Sequence, residues 1–156
     1  ILEMCLMRRE MVLDIIRKNP GIGFNAIARQ TKLSNGVLSH YILKLLEEKE
    51  IMKTGVRAKY FLKKIPEKDR EIITILKNPT NLKIIKALLE RDPLKSKDIV
   101  KIIGKSVSTI SISLKKMEKK NIISRKIMNQ ESKLTSDIGY TVSDKEFMRK
   151  IFSKYL

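Results

Sequence analysis

Few of the residues that carry chemistry are present. The 156-residue chain has one cysteine, one histidine and no tryptophan. A single thiol, Cys5, excludes an internal disulfide and suits a reducing cytoplasm, where the protein is expected to reside. The one imidazole, His40, has no second histidine and no nearby cysteine to complete a metal site, so neither metal nor cofactor is expected. No Ser/His/acid set has the spacing of a catalytic triad and no glycine-rich loop would cradle a phosphate, so the sequence points away from an enzyme. Aromatics make up 5% of the chain, which argues against the stacking platforms that hold single-stranded nucleic acid. No run of about 18 apolar residues is present, so no transmembrane helix is expected. No secretory pattern opens the chain, although its first residue is Ile1 rather than methionine, which leaves room for residues upstream.

Acidic residues are the other shortage. Against 34 Lys and Arg stand 17 Asp and Glu, a formal net charge of +17. That excess opposes compaction by self-repulsion unless a polyanion offsets it. A heat-adapted surface is the plainer reading, but such surfaces gain glutamate along with lysine, and here acids do not keep pace. Residues 1–64 hold 13 basic and 6 acidic side chains, and residues 65–156 hold 21 and 11, so both halves are candidates to touch the polyanion. Apolar content of 42% suffices for a core, and the seven methionines read as fillers of core gaps.

What is abundant is repetition. Setting Ser39 against Ser111, 72 residues on, makes apolar positions coincide without a gap: Val12 with Ile84, Ile16 with Leu88, Ile27 with Ile99, Leu38 with Ile110, Ile42 with Leu114 and Ile51 with Ile123. Few identities accompany them, so the chain reads as two copies of one small domain. In the first copy a helical stripe of Met7, Met11, Val12, Ile15 and Ile16 spans 6–18, and Asn19, Pro20 and Gly21 stop it. A short helix over 24–30 follows, with Ile27 and Ala28 inward. Ser34 caps a third helix running to about residue 50, with Leu38, Ile42, Leu45 and Leu46 on one face. "IMKTGVRAKYFLKK" is a hairpin turning near Thr54 and Gly55, with Tyr60 and Phe61 as packing residues. In the second copy Asn78 caps and Pro79 opens a helix, "SKDIVKIIG" is the short helix, and Ser106 starts the third. "VSTISISL" nearly alternates like a strand, but Val107, Ile110, Leu114 and Met117 make one helical face, as in the first copy. Ile112 falls off that face, as Leu43 does. Strands over 122–128 and 138–142 enclose a polar loop, Asn129–Asp137.

Helix, helix, turn, helix, hairpin is the order of a winged helix-turn-helix domain. "NPTNLKIIKALLERDPLKSKDIVKIIGKSVSTISISLKKMEKKNII" resembles the ArsR-like winged-helix pattern, and "NPGIGFNAIARQTKLSNGVLSHYILKLLEEKEIMK" resembles the MarR/ArsR-like heads of archaeal regulators that carry two such domains. The fold implied is mostly α with small β-hairpin wings, two winged helix-turn-helix domains in tandem. The expected division is 1–64 and 79–142 for the heads, 65–78 for a linker helix carrying Ile72, Ile73 and Leu76, and 143–156 for a C-terminal amphipathic helix. Metal-sensing ArsR proteins carry paired cysteines that this chain lacks.

The resemblance implies that each third helix enters the major groove of double-stranded DNA while the wing reaches the backbone or minor groove. Asn35, Gly36, Ser39, His40 and Lys44 lie on the outer face of the first such helix, and Ser106, Ser108, Thr109, Ser111, Lys115 and Lys116 on that of the second. Short hydroxyls permit close approach and bond phosphates or base edges, asparagine can read adenine, and lysines supply charge. Ser106, Ser108 and Thr109 have the plainer use of capping and solubility as well. Arg57 and Lys59 belong to the first wing, and Arg125, Lys126 and Lys133 to the second. The expected function is a DNA-binding transcriptional regulator, with a protein-interaction scaffold or an RNA or single-strand binder as alternatives. The last segment opens on a capping box, Ser143 with Glu146. Its stripe of Phe147, Met148, Ile151, Phe152 and Tyr155 would pack on its own domain or pair two chains as a homodimer.

Overall fold

The computed structural model describes residues 1–128 and 137–156. Its contacts divide the chain into two compact units, Ile1–Ile73 with Tyr155, and Thr74–Lys154 with Leu156.

The first unit opens with α1 (Leu2–Lys18), then β1 (Ile22–Gly23), α2 (Phe24–Thr31) and α3 (Asn35–Glu47). The wing is β2 (Ile51–Thr54) and β3 (Lys59–Leu62), and α4 (Glu67–Leu76) follows it. β3 pairs antiparallel with both β2 and β1, giving a three-stranded sheet in the order β1-β3-β2. The helices pack on one another through Val12, Ile16, Ile27, Leu38 and Leu45, all fully buried, with Phe61 of the sheet beneath them. Burial of each such side chain is worth about 1.5–3 kcal/mol. Arg9 crosses from α1 to Glu48 at the end of α3, with its Nη2 2.6 Å from Oε2, which ties the third helix to the first.

The second unit repeats this plan: α5 (Pro79–Glu90), β4 (Leu94–Lys95), α6 (Ser96–Ile103), α7 (Val107–Lys119), β5 (Ile123–Ile127) and β6 (Ile138–Val142), ordered β4-β6-β5 in the sheet. Its core is Ile84, Ile85, Leu88, Ile99, Ile110 and Met117. The register of the repeat survives in the backbone. α2 and α6, and likewise α3 and α7, start and end 72 residues apart. The left-handed residues match too: Lys32 (φ 59°) with Gly104 (φ 75°), and Lys49 with Asn121, both at φ 59°. A left-handed turn closes each short helix, and glycine takes it without a Cβ penalty. The wings differ in length. β2 and β3 pair as far as Thr54 with Lys59, whereas β5 and β6 continue to Ile127 with Ile138.

Several sequence expectations change. The apolar face of α1 is Val12, Leu13 and Ile16, while Met7 and Met11 are exposed. The spacing is helical either way, and only packing chooses the face. Of the seven methionines, Met117 and Met148 are buried and the others are not, so most fill no core gap. Val107 is 68% exposed and leaves the α7 core face to Ile110, Leu114 and Met117, joined by Ser113. The final helix, α8 (Lys145–Tyr155), is capped by Asp144, whose Oδ1 accepts the Phe147 N–H at 2.9 Å. Ser143 instead shares a hydrogen bond with Ser124 at 2.6 Å. Met148 and Ile151 of the stripe on α8 are buried within the chain, and Phe147, Phe152 and Tyr155 are partly exposed.

Candidate nucleic-acid interface

The third helix of each unit turns one face to its core and the other to solvent. Ser34 starts α3 by accepting the Val37 N–H at 3.3 Å, and Ser106 starts α7 by accepting the Thr109 N–H at 3.2 Å. Between those caps and the helix ends, α3 carries its only carboxylate at Glu47 and α7 its only one at Glu118. On α3 the exposed residues include Asn35, Gly36, Ser39, His40 and Lys44. A Cβ built on Gly36 would meet nothing within 4 Å, so the glycine leaves open space on the outer surface of the helix. His40 rests edge-on against Tyr41, ring centroids 5.2 Å apart.

On α7, Ser108, Thr109, Lys115 and Lys116 are exposed and Ser111 is half-buried. The three hydroxyls at the start of α7 are linked: Ser106 Oγ lies 3.2 Å from Ser108 Oγ and 2.8 Å from Thr109 Oγ1. Ser106 therefore performs the capping role, while Ser108 and Thr109 have a lone pair or proton left for a ligand.

Arg57 lies exposed in the first wing's turn and Lys59 is half-buried. Arg125 and Lys126 are exposed on β5, and Arg125 Nε contacts Glu118 Oε1 at 2.9 Å. That hydrogen bond from Arg125 to Glu118 holds the guanidinium above its ordinary value. Lys133 and most of the polar loop fall in 129–136, outside the described residues. Lys53, not among the residues expected from the sequence, is exposed and lies opposite Tyr60 just as Arg125 lies opposite Tyr140. The 72-residue offset that pairs Lys53 with Arg125 could have found it. Among the described residues no cluster of His, Cys, Asp and Glu could hold a metal, and no helix is long and apolar enough to cross a membrane.

Comparison with known families finds two matches. Residues 7–73 match a model described as an N-terminal HTH domain, and residues 78–125 match the model of the bacterial regulatory protein arsR family. No curated protein matches the chain. Among solved structures, the DIP2311 protein of Corynebacterium diphtheriae is similar at 12% identity and a TM-score of 0.35, over 86% of this chain and 26% of that one. This chain thus spans about a quarter of that protein's length. ScpB of Mycobacterium tuberculosis is similar at 9% identity and a TM-score of 0.35, over 92% of this chain and 94% of its own.

Proposed function

We propose, from a chain that carries two helix-turn-helix domains in tandem, that it is a transcriptional regulator that binds double-stranded DNA with both units. The observation that carries the reading is the chemistry of the two outward helix faces. Each offers small hydrogen-bonding groups and at least one lysine, with no carboxylate before the last turn. Asn35, Ser39 and Ser108 are suited to base edges, Lys44, Lys115 and Lys116 to phosphates, and Gly36 allows close approach of the backbone. The wing cations Arg57, Lys59, Arg125 and Lys126 extend the same positive surface toward the flanking backbone. Because the two outer faces differ in sequence, one chain reads two unlike half-sites. A protein-interaction scaffold would have no use for helices kept free of acids up to their last turn.

The test is binding to duplex against salt, with RNA and single-stranded competitors. Affinity for duplex falls linearly in log–log form with a slope reflecting about 6–10 neutralised phosphates. A slope near zero, or equal displacement by RNA, defeats the reading.

A further inference from the structure

We propose that the cleft between the second wing and the start of α7 binds an amphipathic organic anion, an aromatic or branched-chain body bearing one acidic group, and that its occupancy weakens DNA binding by this unit. The second half rests on the DNA reading above, and the first does not.

The cleft arises from strand alternation. Side chains two apart share a face of a strand, and the core face of the second wing begins with the buried pair Ile123 and Val142. The next pair on that face is Arg125 with Tyr140, and the next Ile127 with Ile138. Beyond the buried pair, this face of the wing borders one side of α6 and the start of α7 across an open space. Tyr140 and Ile138 then form an apolar floor with Val100 of α6 and Val107 of α7, around a space of about 610 Å³. That lies within the roughly 300–1,000 Å³ usual for small-ligand sites. It also accounts for Val107, which the core does not use.

The rim is cationic: Lys95, Lys97, Lys101 and Arg125, with no carboxylate among the described lining residues. Lys95 is offset by Asp137 at 3.6 Å and Arg125 by Glu118. Among the described residues Lys97 and Lys101 have no ion pair, and one helical turn separates them on one side of α6. A hydrated phosphate would gain nothing from the apolar floor, and a neutral hydrocarbon nothing from the rim. An acid with an apolar body satisfies both.

The first unit supplies an internal control. At the 72-residue offset Lys101 and Arg125 correspond to Arg29 and Lys53, so those two charges recur, as contact with a polyanion by both units would require. Lys95, Ser96, Lys97 and Val107 correspond instead to Gly23, Phe24, Asn25 and Asn35. Two cations and an apolar residue are lost, and a phenyl group takes the place of the small Ser96 at the start of the short helix. What distinguishes the second unit is therefore the set of residues that builds the cleft.

The experiment titrates the full chain with anilinonaphthalene sulfonate, an aromatic anion that fluoresces on burial, and with phenylnaphthylamine, the same ring system without the charge. The sulfonate saturates a single site and the neutral compound binds at least about tenfold more weakly. Ser96→Phe, which installs the residue of the first unit, lowers sulfonate affinity at least about tenfold and leaves duplex affinity within about twofold. Lys101→Glu, a surface change that leaves the fold intact, also weakens the sulfonate, so the result does not depend on Ser96→Phe folding. Saturating sulfonate lowers duplex affinity about tenfold in the parent chain and not in Ser96→Phe. Equal binding of the neutral compound, or sulfonate affinity unchanged in both variants, overturns the proposal. Sulfonate binding as expected with no duplex binding at any salt would overturn the DNA reading and the coupling, and leave the anion site assigned.

Discussion

Ser34 and Ser106 stand 72 residues apart and hold the same position in their two units: each Oγ accepts the backbone N–H three residues on, from Val37 at 3.3 Å and from Thr109 at 3.2 Å. A capping serine satisfies one of the amide donors that a helix start leaves unpaired. Ser34→Ala and Ser106→Ala are each expected to cost about 1 kcal/mol. Urea melts of the two variants measure this, and a cost confined to one of them would break the equivalence of the units.

Exposed lysines and small polar residues on the helix faces should fail differently. Lys115→Ala with Lys116→Ala weakens binding to all duplex sequences alike and lowers the salt slope by about 2. Asn35→Ala or Ser108→Ala instead relaxes sequence preference, by about 1–3 kcal/mol for a good base contact. Titrations of matched and scrambled duplexes at several salt concentrations separate the two effects. Unchanged affinity in the folded double-lysine variant would mean that α7 does not dock as proposed.

Two glycines predict opposite signs. A Cβ on Gly139 would lie 2.8 Å from Pro93 Cβ and 2.9 Å from Met128 Sδ, and the proline ring cannot step aside. Gly139→Ala therefore destabilises by about 1–3 kcal/mol. Gly36→Ala meets no atom and stabilises α3 by about 0.5–1 kcal/mol, while weakening DNA binding if the helix approaches the duplex closely. Thermal melts and duplex titrations of both variants check the two signs.

Asp92 gives the second unit an acid-sensitive tie. Burial pushes its carboxyl up, but hydrogen bonds from Lys145 and Thr141 and the charges of Lys145 and Lys126 outweigh this and hold it below its ordinary value. Lys145 Nζ lies 2.7 Å from Oδ2. A carboxyl held low in the folded state adds stability that is fully present above its unfolded value, about 3.9, and is lost as pH falls through the folded value. Asp92→Asn should thus lower stability near pH 7 and flatten the acid limb of the parent's stability curve. Parallel acid limbs would remove Asp92 from this role.

Removing α8 tests where its apolar stripe belongs. Met148 and Ile151 are 2% and 1% exposed in the single chain, so Ile151→Ala should cost about 2–5 kcal/mol. A chain ending after Val142 should lose stability rather than become a well-folded monomer. Light scattering of the intact and shortened chains supplies the comparison, and a stable monomer from an intact dimer would instead assign the stripe to pairing two copies.

Much of this architecture is legible in the sequence because it rests on local rules. The 72-residue offset, Ser34, Asn78 and Ser106 as caps, and the outward places of Ile112 and Leu43 follow from helical period and capping chemistry. They hold whichever neighbours the helices meet. Two-residue strands such as β1 and β4 carry no period and escape notice until their partners β3 and β6 are in place. The face that α1 buries, the choice of Asp144 over Ser143 as cap and the exposure of Val107 all depend on what packs nearby. Sequence spacing allows either outcome in each case. The cleft beside Val107 depends on the tertiary structure in the same way. Its cations and apolar residues come from α6, α7 and three strands, separated by up to 45 positions between Lys95 and Tyr140. They meet because one side of α6, the start of α7 and the inner face of the second wing border the same space. Local chemistry determined two helix-turn-helix units whose third helices carry no acid before their last turn, and long-range packing decided which of their surfaces remain open.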